Sequence, residues 1–331
     1  MKRALVVAAF VVALARCSSP SQGTSWTQAF DASDVGWLLD TCGPSPDDLY
    51  AVGGTETTAA VMHFDGTKWS PLTLGVAAPL LNWCHAFAAN DVTMVGNQGT
   101  VLHWDGASWT QQATPTTQNL WGVWGAAPDD LWSVGGDGLA DGQATLLHWD
   151  GSTWSTVALP TLQKANVWQF LKVWGTSAND VYVVGQRGVV LHWDGSAWSE
   201  ELVGASDDLI SLWGTGPDRV VAVGGRSNAI VSVWDGTSWT TTSLAPAPGL
   251  NGVWMRTPDT AQVVGTYGQL GELDLTTMTL TTLSPPPTDL DFHSIFGDAS
   301  GHVHAVGGNL AVADPPEYEG LAWERLLGSG E

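Results

Sequence analysis

Four histidines stand at one place in a repeated string: VMHFDGTKW at 61–69, VLHWDGASW at 101–109, LLHWDGSTW at 146–154 and VLHWDGSAW at 190–198. A histidine two residues before an aspartate could serve a metal or a general base. A metal centre, however, needs several ligands converging at about 2 Å on one ion. His63, His103, His148 and His192 fall one to a repeat, so they are expected to radiate apart. A fifth copy, VSVWDGTSW at 231–239, has Val233 in the histidine's place. Asp150-Gly151 reads as a two-residue type I′ turn. That register sets Trp149 opposite Ser152, His148 opposite Thr153 and Leu147 opposite Trp154. It also sets His63 beside Lys68, His103 beside Ser108 and His192 beside Ala197. Leu147, Trp149 and Trp154 then share one face of a hairpin. The string is expected to be a folding device, and no metal or cofactor is expected.

The elements that carry the string repeat as well. Asp65, Asp105, Asp150, Asp194, Asp235, Asp274 and Glu319 align at spacings of 39 to 45 residues, the last two copies being degenerate. The fullest copy, 120–154, holds four strand signals. LWGVW (strand A) is followed by an APDD turn, LWSVG (strand B), a variable loop, LLHW (strand C) and a strand D that starts at Trp154. Pro and Asp suit type I turns. They are a poor calcium site, because about six to eight oxygens must surround one ion and each repeat offers one acidic pair. Strand B runs such as Val181-Tyr182-Val183-Val184 lack polar alternation, as expected of strands buried on both faces. Four-stranded units at this period predict an all-β fold, a single β-propeller of seven four-stranded blades over 25–331. Both SWTQAF (25–30) and LAWERL (321–326) compete for the outer strand of the last blade.

Residues 1–16 read as a signal peptide, with Lys2 and Arg3 ahead of the apolar run Ala4–Ala15. Leu14-Ala15-Arg16-Cys17 resembles a bacterial lipoprotein box, with Cys17 as the lipidated first mature residue and 17–24 as a polar tether. Arg16 departs from that box, which favours a small residue there. The expected location is an exported, outer-membrane or periplasm-facing lipoprotein, with simple secretion as the alternative. The formal charge is −22, which opposes nucleic acid and anionic lipid. Membrane contact is therefore expected only through the anchor on Cys17. Cys42 and Cys84 remain as a possible disulfide or as two buried thiols.

Gly135-Gly136 followed by Trp149-Asp150 and Trp154 resembles a kelch repeat. The DG-x-x-W turn resembles the Asp-box of sialidase-like propellers, one residue shorter, and the LWGVWG segments are similar to tectonin-type lectin propellers. The whole of 37–326 resembles secreted propeller lipoproteins of myxobacterial type. These resemblances imply the fold and leave the activity open.

In a propeller, A–B and C–D turns share one face, and B–C loops and D–A connections share the other. Here the first face is monotonous. The second varies, as in GGTETTAA (53–60), GGDGLADGQAT (135–145) and SLAPAPGL (243–250). Variable loops on a constant scaffold are where binding is expected. The two positions that open strand A there give the candidate ligand-binding residues Asn82, Asn119, Trp121, Gln169, Asp208, Asn251, Asp291 and His293. The expected function is a membrane-tethered binding or scaffolding module for a protein or a cell-surface polymer. A carbohydrate-binding lectin is the alternative. A glycoside hydrolase is less favoured and no catalytic residue is assigned. Such an enzyme needs two carboxylates about 5–9.5 Å apart, which any Asp-rich chain supplies. A sialidase would also need converging arginines, and the chain beyond residue 16 has only Arg187, Arg219, Arg226, Arg256 and Arg325.

Overall fold

The computed structural model describes residues 25–139, 142–310 and 318–328. The signal segment, Cys17 and the tether lie outside them. The described chain forms seven separate four-stranded antiparallel sheets, the blades of one β-propeller. Strand A of the successive blades spans Trp37–Ser45, Leu81–Ala88, Leu120–Ala127, Phe170–Ser177, Leu209–Gly216, Leu250–Thr257 and Asp291–Gly297. In blade 3, strands B, C and D follow at Asp130–Gly135, Thr145–Trp149 and Trp154–Thr156.

Burial explains the composition. Each strand B is covered on both faces by neighbouring blades, so Val181, Val183 and Val184 are fully buried and Tyr182 nearly so. Three strand-C indoles turn their N–H groups to carbonyls of the A–B turn. Trp104 donates to Ala89 (3.0 Å), Trp193 to Ala178 (3.1 Å) and Trp234 to Pro217 (2.9 Å). One side chain thus packs a blade and satisfies a turn.

Seven blades close through both termini. Thr27–Gln28 pairs with Gly320–Leu326, which pairs with His302–Gly308 and so reaches Asp291–Gly297. LAWERL is therefore strand C of blade 7 and SWTQAF contributes its strand D. Trp323, expected on a strand D, lies opposite Ala305 on strand C, and Glu319 precedes that strand instead of marking a C–D turn. The degenerate last copy hid this. Trp26 packs with Trp254, Phe292 and Leu327, so chain closure also fills core.

The hairpin register corrects the two-residue turn. Trp149 pairs with Trp154, His148 with Ser155 and Leu147 with Thr156. His63, His103 and His192 likewise face Ser70, Thr110 and Ser199. The loop is four residues long because Asp150 Oδ1 accepts the N–H groups of Ser152 (2.9 Å) and Thr153 (2.8 Å). Only Gly151 takes a left-handed conformation there, at φ 87°. The two indoles still meet, at 5.6 Å between rings. Hydrogen bonds from the Ser152 side chain and then the Thr153 and Ser152 backbone hold the Asp150 carboxyl down at about 2. A group with a depressed folded pKa stabilises above its unfolded pKa and loses that contribution as pH falls through the folded one. Asp150→Ala is thus expected to lower the melting temperature slightly at neutral pH. Thermal scans should show the two proteins converging as pH falls from the ordinary carboxylate range toward 2.

The four histidines pin strand C to the start of strand B within their own blades. Nε2 meets Asp48 from His63 (2.8 Å), Asp91 from His103 (3.0 Å), Asp130 from His148 (2.7 Å) and Asp180 from His192 (2.8 Å). Among the described residues, no three His, Cys, Asp or Glu side chains gather as a metal site.

Candidate functional site

Every strand A carries a bulge near its start, after the first residue in blades 2 to 6, as between Leu81 and Trp83 or Leu120 and Gly122, and after the second in blades 1 and 7. The bulge breaks the two-residue alternation. In blade 2 it lets two consecutive side chains, Asn82 and Trp83, line the central channel. The upper of these positions holds Leu39, Asn82, Trp121, Leu171, Ile210, Asn251 and His293 in blades 1 to 7. These seven surround a cavity of about 740 Å³ at the channel mouth, on the face of the B–C and D–A connections.

Six of the eight candidates line this cavity: Asn82, Trp121, Gln169, Asn251, Asp291 and His293. Asn119 and Asp208 do not, and the reason is structural. The B–C loops of blades 2, 4 and 6 place Gln98, Arg187 and Tyr267 in the left-handed region, at φ 57–58°. Each donates its N–H to the residue that opens the next blade. The pairs are Gln98 to Asn119 Oδ1 (3.1 Å), Arg187 to Asp208 Oδ1 (2.8 Å) and Tyr267 to Asp291 Oδ1 (2.9 Å). These three acceptors latch blade to blade and offset the cost of a non-glycine left-handed residue. Asp291 alone does both jobs.

The mouth side chains are themselves oriented. Asn82 Nδ2 donates to Leu120 O (2.9 Å) and Asn97 Oδ1 (3.0 Å), and Asn251 Nδ2 donates to Phe292 O (2.8 Å). Trp121 Nε1 donates to Gly136 O (2.9 Å). Burial drives the His293 pKa down to about 4 against a hydrogen bond at the Gly308 backbone. The ring is therefore neutral at neutral pH. Burial raises the Asp291 carboxyl, against the Tyr267 N–H. Arg226 reaches the cavity while its Nε is held by Asp208 Oδ2 (2.8 Å).

One layer deeper stand two charged residues that sequence reasoning passed over. Asp40 and Lys172 are 1% and 5% exposed, on blades 1 and 4. Asp40 accepts from Ser294 Oγ (2.6 Å) and the Cys84 N–H (3.1 Å), while the Lys172 ammonium lies over the Trp83 ring. Burial pushes Asp40 up to about 7, against the Lys172 charge and its hydrogen bonds. Burial pulls Lys172 down to about 7, against Asp40. Below them a chamber of about 130 Å³ is walled by Trp124, Trp174, Trp213 and Phe296. Cys42 and Cys84, also at its wall, are joined by a disulfide with Cα atoms 5.8 Å apart. The sequence did hold a signal for the pair: an Asp in LLDTC and a Lys in FLKVW interrupt inner strands that are otherwise apolar. Tyr267 was also passed over. It is 69% exposed at the rim, and only its loop position could have marked it.

No protein-family model matches the chain, and no curated protein does. Solved structures match its fold. YCF48 bound to D1 peptide is 16% identical with a TM-score of 0.66, the match covering 92% of this chain and 97% of that one. The WD40 propeller of Doa1 is 9% identical at 0.69, covering 92% and 99%. A streptogramin B lyase is 10% identical at 0.70, covering 94% and 100%. A peptide-bound protein and a lyase on one fold leave function to be argued from the site.

Proposed function

We propose that this propeller is a protein-binding scaffold that receives a segment of its partner at the channel mouth, on the B–C/D–A face. One observation carries the reading. Of five exposed large apolar side chains among the described residues, Leu139 and Tyr267 lie on B–C connections and Leu202 and Leu283 on D–A connections. Only Leu326 lies elsewhere. Exposed apolar groups on the face that holds a concave mouth, with Tyr267 on its wall, are what a protein interface uses. The peptide-bound neighbour of the same fold supports a protein partner. The proposal includes export and a lipid anchor on Cys17, supported by Lys2, Arg3 and the apolar run Ala4–Ala15. Loss of radiolabelled palmitate from a Cys17→Ala chain would test the anchor.

Random peptides displayed on phage, panned against the full chain and against Ile210→Arg, test the binding reading. Ile210 is half-buried on the cavity wall, so arginine there fills the mouth without entering the core. Selected peptides should bind the variant at least about tenfold more weakly. Equal recovery on both proteins would overturn the placement. A blank peptide screen with selective glycan-array binding would replace the reading with the lectin.

A further inference from the structure

The mouth is two-sided. Blades 3, 4 and 5 present Trp121, Leu171 and Ile210 at the upper channel position, and blades 6, 7 and 2 present Asn251, His293 and Asn82. Leu39 of blade 1 sits between the last two. One arc is therefore apolar and the other polar.

The polar arc is rich in acceptors. Both N–H bonds of Asn82 are spent within the protein. Its Oδ1 has no partner although Asn82 is only 2% exposed. Asn251 repeats one arm of the clamp, on Phe292 O, which commits one of its two N–H bonds. His293 Nε2 has no partner either, and burial keeps that ring neutral at neutral pH. With Nε2 unpartnered, the hydrogen bond at the Gly308 backbone belongs to the other ring nitrogen, and an N–H donated from there leaves Nε2 as the lone pair. Asp289 and Asp291 line the same side, and the tie to Tyr267 occupies only one oxygen of Asp291. The cations nearby are spoken for. Asp208 holds Arg226, and Lys172, a layer below, faces Asp40 and lies over Trp83.

An unpartnered buried acceptor costs free energy until a donor meets it. A sugar hydroxyl both donates and accepts, so an arc of acceptors uses half of its capacity. Lysine and arginine donate only, and carry an apolar stem behind the charge. Resting on the protein-binding reading, we infer that the mouth selects partner segments presenting a basic side chain, lysine or arginine. The stem lies on Trp121, Leu171 and Ile210, and the head turns to Asn82, His293 and Asp291. The net charge of −22 draws such a segment in from a distance.

The test uses the phage-selected peptides from the panning above, resynthesised with each basic residue replaced by norleucine. Binding is read by fluorescence polarisation on the full chain. Winners should share a basic residue beside apolar ones. Its replacement should weaken binding about thirtyfold, the scale of a charge pair broken in a desolvated site. His293→Phe and Asp291→Asn should weaken the basic peptide but leave its norleucine version unchanged. Asp291→Asn keeps an oxygen for the Tyr267 N–H, so its folding is preserved if His293→Phe fails to fold. Mouth-dependent winners without a basic residue, or an indifferent norleucine exchange, would overturn this inference and leave the protein-binding reading intact. Winners that ignore Ile210→Arg would overturn the reading itself, and the inference with it.

Discussion

The double variant Asp40→Asn/Lys172→Met is expected to be more stable than the wild-type protein near neutral pH, by about 1–4 kcal/mol, the range seen when buried charge pairs give way to neutral packing. Both groups are buried in the channel and do not share a close contact. The carboxylate is held by Ser294 and Cys84, and the ammonium by the Trp83 ring. Their attraction repays only part of the desolvation, since each is shifted toward its neutral form. Asparagine can accept the Cys84 N–H on its oxygen and donate its amide N–H to the Ser294 hydroxyl oxygen, and methionine can still pack on an indole. Urea unfolding of the two proteins decides it. A double variant less stable than wild type would show that the pair holds the channel together.

The single variants separate the two charges by pH. A folded carboxyl raised from 3.8 to about 7 binds its proton more tightly than the unfolded chain. Its contribution is greatest below 3.8 and is lost as pH rises to 7. An amine lowered from 10.5 to about 7 behaves oppositely. Its contribution is full above 10.5 and is lost as pH falls to 7. In the wild-type protein the two sum to a minimum near 7. Lys172→Met leaves Asp40 with a still higher pKa, so that variant should keep losing stability as pH rises above 7. Asp40→Asn leaves Lys172 with a still lower pKa, so it should keep losing stability as pH falls below 7. Each slope approaches about 1.4 kcal/mol per pH unit. His85, the other titratable group near Lys172, is driven down to about 4 by burial and so titrates below most of this window. Parallel curves for the two variants would refute the assignment.

The blade count was legible because four kinds of position repeat: the double-sided apolar strand B, the strand-C indole, the Asp-Gly turn and the small residues between. Repetition also exposed which face varies, and so led to six of the cavity's lining residues. What escaped depended on geometry that no period carries. Asp150 closes a four-residue loop with its own side chain, and a DG-x-x-W string fits that loop as well as the shorter one. Glu319-Gly320 resembles the same turn, yet it opens a strand because blade 7 borrows its last strand from Thr27–Gln28. The bulge after Leu81 in strand A of blade 2 puts Asn82 and Trp83 on one side. Strict alternation would have separated them. The latch made by Asn119, Asp208 and Asp291 depends on a left-handed residue some twenty positions earlier, a pairing visible only in space.

Replacing both Cys42 and Cys84 with alanine is expected to cost about 4 kcal/mol, the chain-entropy value for a loop closed over this separation. The two are 42 residues apart and join the inner strands of blades 1 and 2. At 6% and 2% exposure they are out of reach of reductant in the folded ring, so variants test the bond more cleanly than reduction. Urea unfolding without reductant should show the gap, and reductant added to the unfolded wild-type chain before refolding should close it. A gap below about 1 kcal/mol, or two free thiols on peptide mapping, would rule the bond out as a stabilising link. The disulfide and the charged layer are also coupled. The Cys84 N–H is one of the donors that hold Asp40, so loosening blade 2 weakens the group that most needs its hydrogen bonds. Neighbours that share a partner are not additive. The cysteine exchange should therefore cost more in the wild-type background than in Asp40→Asn/Lys172→Met, where no buried charge depends on that N–H. Equal costs would mean that the bond acts on the unfolded chain alone, with the blade 1–blade 2 seam held just as firmly by Leu81, Met94 and Leu102.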